Sequence, residues 1–341
     1  MTSLEIPTPD DLHVHLRQDG MLGPAVDHSA LHFGRVLVMP NLTPPVKTGE
    51  EAFKYREDIL ALRREQGFPK SFEPLMTIKI TGDTTPEIVR EAHARCAIAG
   101  KLYPEGVTTN SEDGVRDLFA LAPVFKAMED VGMVLSLHGE TPGVFCMDRE
   151  IAFLSTFGAI AMQFPKLRIV LEHITTQQAV KTVKGLPNNV AATITVHHLV
   201  LTLDDVVGGM LNPHNFCKPI AKSPDDREVL REAAISGNPK FFLGTDSAPH
   251  VRAKKECASG CAGVYTAPVA MPILAQVFEE ENALGMLADF TSTFGAKFYR
   301  LPTPLGKLRL EKGDPWVIPD CYGDIVPLWA GREINWRAER L

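Results

Sequence analysis

The chain is expected to fold as a single (β/α)8 TIM barrel carrying a short C-terminal extension, and three observations lead there. Eight apolar or β-branched runs recur along the sequence with helical segments between them, which is the pattern of parallel βα units. The 341 residues exceed the roughly 250 of a typical barrel of this kind by an amount that loops and a tail absorb. No linker, low-complexity stretch or internal repeat divides the chain.

The runs fall at residues 12–16, 35–39, 75–80, 98–103, 133–138, 168–173, 190–196 and 240–245. After the second, Ala52, Tyr55, Ile59 and Leu60 share one helical face, and Gly67 follows the helix end. After the third, Pro86 stands where a first helical residue belongs. Pro123 restarts a helix that carries Phe125 and Met128 inward and closes at Gly132. Gly208-Gly209 and Asn212-Pro213 mark the irregular part after the seventh run, and residues 225–236 form a further helix ended by Gly237. Prolines punctuate a tail over residues 301–341, which Trp316, Trp329 and Trp336 are expected to pack back on the barrel.

Composition narrows the function. At 45% hydrophobic and 23% charged residues the chain can bury a large core. A net charge of −7 and a pI near 5.9 argue against a nucleic-acid partner, which needs a basic patch. No apolar stretch is long enough for a bilayer, and the acidic N-terminus does not read as a signal peptide. Six scattered cysteines without an export signal suggest reduced thiols and a cytoplasmic protein. Cys257 and Cys261 are the one close pair, and without nearby companions they make a poor zinc site.

Catalytic residues of this fold sit at the C-terminal ends of the strands. His13 and His15 alternate with apolar residues at the first strand end, so both imidazoles share one face. Lys101 lies in the fourth run, His138 ends the fifth, His173 ends the sixth, and Asp246 follows the eighth. Singly, each has an ordinary explanation: a hydrogen-bonded histidine, a solvated lysine, a turn aspartate. Together they make a metal site. The set suits one zinc ion held completely or two metals about 3.5–4 Å apart. His28, His32, His93, His197, His198 and His214 receive no role, with His197 and His198 held in reserve because they follow the seventh strand.

Seven stretches carry a resemblance to a known family: 11–17 (Asp-Leu-His-Val-His-Leu-Arg), 38–46, 100–104, 108–111, 134–140, 171–176 and 243–250. They span nearly the whole barrel. The sequence resembles the amidohydrolase superfamily, and within it the branch that interconverts N-carbamoyl-L-aspartate and L-dihydroorotate in pyrimidine synthesis. The resemblance implies two zinc ions, one on His13, His15 and Asp246, the other on His138 and His173, bridged by a hydroxide and by Lys101 as a CO2-derived carbamate (N6-carboxylysine). The balance of charges then leaves about one positive charge, which suits an anionic substrate. Asp246 would be the general base and acid.

By the same resemblance Arg17, Asn41 and His250 bind the substrate carboxylate, main-chain groups at Lys218 and Ala262 assist, and Thr108 and Thr109 belong to a lid loop. Relatives can carry an apolar residue where this chain has Lys218. A homodimer is also implied. The rival readings are another cyclic amidohydrolase, opening hydantoin or allantoin, and a catalytically silent barrel; Arg17 with Asn41 argues against the first, and the six ligand positions against the second.

Overall fold

A computed structural model describes residues 3–66, 72–108, 111 and 113–341. Eight parallel strands follow one another in chain order around a nearly closed barrel: β2 (Asp10–Val14), β3 (Arg35–Val38), β4 (Glu73–Ile80), β5 (Ala97–Leu102), β6 (Val134–His138), β7 (Ile169–Glu172), β8 (Val190–Ile194) and β9 (Phe241–Leu243). Helices connect them, as the alternation of apolar runs and helical segments requires. The period-2 alternation of each strand sends one set of side chains into the barrel and the other under the helices. Leu12, Leu37, Leu75, Val134, Val170, Phe242 and Tyr299 belong to the inner cluster, and Phe294 and Phe298 pack against it.

The helix at Gly49–Gln66 buries Ala52, Tyr55, Ile59 and Leu60 as its periodicity demands, while Gly67 lies outside the described residues. Pro86 opens the helix Pro86–Arg95, capped by the Thr85 hydroxyl, which accepts from the Ile88 N–H. Phe125 and Met128 are buried, and their helix ends at Gly132 with φ +78°, the left-handed turn that favours glycine. A capping box between Ser223 and Asp226 starts the helix Pro224–Ile235.

The chain termini differ from the sequence expectation. Residues 3–7 form a strand, β1 (Ser3–Pro7), which pairs antiparallel with β10 (Lys307–Val317), itself paired with β11 (Glu333–Arg340). The tail is therefore a sheet, and its signal is short alternation: Leu308 with Leu310, and Ile334 with Trp336, are buried while their neighbours face out. Trp336 is fully buried and donates its indole N–H to Glu279 (3.1 Å); Trp316 donates to the Trp336 carbonyl (2.9 Å). Trp329 is half-buried against the same core.

The strand ends also differ. The first, sixth, seventh and eighth apolar runs extend in sequence to residues 16, 173, 196 and 245, but the ladders stop at Val14, Glu172, Ile194 and Leu243. Chain reversal begins there instead. Arg17, His173 and Asp246 all take left-handed φ values of 62°, 43° and 47°. Such backbone strain in non-glycine residues collects at functional sites.

Between β9 and β2 the barrel has no regular ladder, and a seam of separate contacts closes it. Val14 bridges Ser247, the Asp246 N–H donates to the His13 carbonyl (2.8 Å), and the His15 N–H to the Ser247 carbonyl (3.0 Å). Asp11 adds its carboxylate, accepting from the Thr245 N–H (2.8 Å), the Thr245 hydroxyl (2.6 Å) and the His13 N–H (3.2 Å). Gly244 is required beside this seam, because a Cβ there would lie 2.9 Å from His13 Cβ and 2.8 Å from a Thr193 methyl.

Candidate functional site

The seam brings His13, His15 and Asp246 into one buried group, whose ligand atoms all lie within 4.8 Å of one another. His15 Nε2 is 2.9 Å and His13 Nε2 3.4 Å from Asp246 Oδ1. On its other side, His13 Nδ1 is 2.8 Å from Glu172 Oε2; the carboxylate can only accept, so Nδ1 carries the proton and Nε2 offers a lone pair to the site. Glu172 also accepts from the Ser136 hydroxyl and, at 2.6 Å, from the Thr193 hydroxyl. Burial alone would raise its carboxyl, but His13, Lys101 and Ser136 outweigh that and hold it below the ordinary carboxylate value.

His138 and His173 stand beside this group, their rings 4.8 Å apart, with His173 5.1 Å from the His13 ring. His138 Nε2 donates to Glu140 (2.7 Å), which leaves Nδ1 as its free donor atom. His173 Nδ1 is buried with no hydrogen-bond partner. Burial holds His15 (to about 4), His138 and His173 below the usual imidazole range, so these three imidazoles are neutral near pH 7. Asp246 is pushed up by burial, yet the hydrogen bond from His15 and the neighbouring imidazoles hold it well below the ordinary aspartate value.

Lys101 completes the ring from β5. It is fully buried, its Nζ makes no hydrogen bond, and the centroid of the Tyr103 ring lies 5.1 Å from it. Burial lowers its amine to about 8, against the pull of Glu172 and Asp246. An ammonium buried without a hydrogen-bond acceptor is costly, whereas a neutral amine there is a nucleophile. These orphaned nitrogens, with the three gathered ligands, are what a metal centre would satisfy.

Next to this cluster is a chamber of about 30 Å³ lined by His15, Arg17, Asn41, Thr108, Lys218 and Asp246, with Ala248, Ala262 and Gly263. The Arg17 guanidinium donates to His250 Nε2 (2.9 Å) and to the Pro249 carbonyl (3.1 Å), and the Tyr55 hydroxyl donates to the Arg17 carbonyl. Burial and the charge of Arg17 lower His250 to about 3, so it stays neutral. Thr108, Lys218 and Ala262 also border a wider outer cavity of about 1040 Å³. Thr109 lies outside the described residues. Cys257 is exposed and Cys261 half-buried, and among the described residues no third ligand gathers with them.

Sequence reasoning left Asp11, Ser136, Glu140, Glu172 and Thr193 without roles. Asp11 shares the face of His13 and His15 by alternation, so its signal was present. Glu172 and His173, as neighbours on a strand, should face opposite ways; the left-handed φ at His173 breaks the alternation and lets both reach the site.

The chain belongs to the amidohydrolase family, whose profile matches residues 6–316. Its full-length relatives are more specific. The dihydroorotase of Idiomarina loihiensis is 48% identical over 99% of both chains. The structure of dihydroorotase from Saccharomyces cerevisiae, solved with 5-fluoroorotic acid, superposes with a TM-score of 0.93 at 37% identity, covering 100% of this chain and 99% of the other. The Campylobacter jejuni dihydroorotase gives 0.90 at 39% identity, covering 98% and 97%.

Proposed function

We propose that this chain catalyses the dihydroorotase reaction, the reversible cyclisation of N-carbamoyl-L-aspartate to L-dihydroorotate in de novo pyrimidine (UMP) biosynthesis. The activity rests on the full-length dihydroorotase relatives. The observation that carries the site is Lys101: a buried amine without a hydrogen-bond partner, within electrostatic reach of His138, His173, Glu172 and Asp246. A metal-dependent hydrolase of this family needs anionic and imidazole donors there; the gathered His13, His15 and Asp246 suit one zinc ion, and His138 and His173 beside them leave donors for a second. His13, His15 and Asp246 would hold one and His138 and His173 the other. Lys101 would be shared between them after its neutral amine adds carbon dioxide, losing one proton to give a carbamate.

When bound, the ions supply Lewis-acid polarisation of the ring amide carbonyl and a water of lowered pKa. Asp246 takes the proton of the attacking water on its carboxylate and returns it to the departing ring nitrogen; closure runs the same transfers backwards. Glu172 and Glu140 keep His13 and His138 in the tautomers that point lone pairs inward. Arg17 grips the exocyclic carboxylate with two parallel N–H bonds, and Asn41 and His250 fix its orientation, with main-chain groups at Lys218 and Ala262. Thr108 borders both this chamber and the wider outer cavity, which supports its place in a loop that covers the substrate and excludes water. The cytoplasmic setting is supported by six unpaired cysteines, and the homodimer by the family resemblance. No described helix is long and apolar enough to cross a membrane.

The test is dihydroorotate ring opening by the zinc-loaded protein beside Asp246→Asn and Arg17→Ala, with metal content measured on each. Asp246→Asn should lose about 10²–10⁴ in turnover. Arg17→Ala should keep its metal and lose about a hundredfold in kcat/KM. Wild-type kinetics in Arg17→Ala would remove it from the site, and a metal-filled protein inert toward dihydroorotate would redirect the search to hydantoins and allantoin.

A further inference from the structure

A second cluster of soft ligands lies past the end of β8 and shares no residue with the proposed zinc ligands. His197 and His198 lie in the tight turn His197–Leu199, and Cys217 comes from the loop ahead of the helix Pro224–Ile235. All three are at most 2% exposed, and one ligand atom from each lies within 4.8 Å of the others. His198 Nε2 and Cys217 Sγ are 3.5 Å apart and both approach the Pro219 carbonyl, at 3.1 and 3.3 Å. His198 Nδ1 is 2.9 Å from the Thr195 hydroxyl, which can accept its proton and fix the ring.

His197 is the anomaly. Neither of its ring nitrogens has a hydrogen-bond partner, although the residue is completely buried. Leaving one buried polar group unsatisfied costs about 1–3 kcal/mol, and an imidazole always has a nitrogen lone pair to satisfy. A cation between the three side chains satisfies it.

We propose that His197, His198 and Cys217 form a separate binding site for a soft monovalent cation, Cu(I). Bonds as long as those zinc makes to nitrogen (about 2.0–2.1 Å) and sulfur (about 2.3 Å) would set the two donor atoms roughly 3.6–3.8 Å apart, close to the 3.5 Å between His198 and Cys217. Thiolate with imidazole suits both zinc and Cu(I), but a single thiolate neutralises only the monovalent ion, so with Cu(I) no net charge is buried. On binding, the Cys217 S–H proton leaves to solvent and an S–Cu bond forms. The His198 proton moves from Nε2 to Nδ1, where Thr195 accepts it, and the Nε2 lone pair turns to the ion. Nothing is oxidised or reduced.

The experiment titrates the metal-loaded protein, without oxygen, with Cu(I) held by the coloured chelator bicinchoninate. The wild type should withdraw one Cu(I) per chain, and X-ray absorption at the copper edge should show one sulfur and two nitrogens. Cys217→Ser and His197→Gln should each weaken uptake by more than about tenfold, while a Cys257→Ser/Cys261→Ser double variant should retain it. Uptake kept by Cys217→Ser, or lost in the double variant, overturns the proposal. So does a wild-type protein that leaves the chelator's copper untouched or binds it without sulfur, which holds whether or not the variants fold.

Discussion

His13 shows how much of this site is set by residues that bind nothing themselves. Its Nε2 keeps a lone pair toward the site because Glu172, across the barrel, accepts the hydrogen bond that Nδ1 donates. Glu172 in turn is fixed by the hydroxyls of Ser136 and Thr193. That His13, His15 and Asp246 gather was legible in the sequence because histidine and aspartate at strand ends are chemically conspicuous; their partners were not, since a glutamate beside a histidine carries no mark of direction until the backbone turn at His173 is known. Buried histidines away from the site have a different consequence. His32 is 4% exposed, its Nδ1 is 3.2 Å from the Ala267 carbonyl, and burial lowers it to about 4. Because the folded-state value is depressed, the unfolded chain takes up its proton first as pH falls. The stability His32 contributes is complete above about 6.5 and is lost progressively toward 4. Between pH 7.5 and pH 5 this loss is roughly 2 kcal/mol. Denaturant unfolding at the two pH values should show that His32→Gln loses less stability on acidification than the wild type by about this amount, and an identical loss in both would rule out the titration.

At the scale of elements, the eight strands were legible from apolar runs bounded by turn residues, and the helices from period and punctuation such as Pro86 and Gly132. What eluded the sequence were elements too short or too polar to stand alone. β1 has five residues and one buried side chain, Ile6, and becomes a strand because β10 offers it an edge. Tertiary context decides such pairings. Trp336 gives this small sheet its anchor through full burial and its bond to Glu279. Trp336→Ala should cost about 3–5 kcal/mol, read as a lower denaturant midpoint. A loss below about 1 kcal/mol, the scale of an ordinary surface change, would mean the sheet is held elsewhere.

For the whole molecule, the barrel was legible because its repeating unit is local: each βα pair writes its own periodicity into about thirty residues. Closure of the barrel is not local, and nothing near His13 announces that Asp246 will lie beside it. The unladdered seam between the first and last barrel strands therefore gives a bound ion a mechanical role as well as a chemical one. An ion on His13, His15 and Asp246 acts as a clasp across a loop of more than two hundred residues, and tying such distant points removes freedom that an open chain would otherwise regain. Chelation should thus loosen the molecule along one line. Amide exchange should rise first at residues 10–15 and 241–247, with the strands opposite, β5 and β6, protected longest. Uniform acceleration around the barrel would show that the clasp bears no load. If the line appears, the catalytic ion and the last step of barrel assembly are one event, and a chain short of metal is a barrel left unfastened.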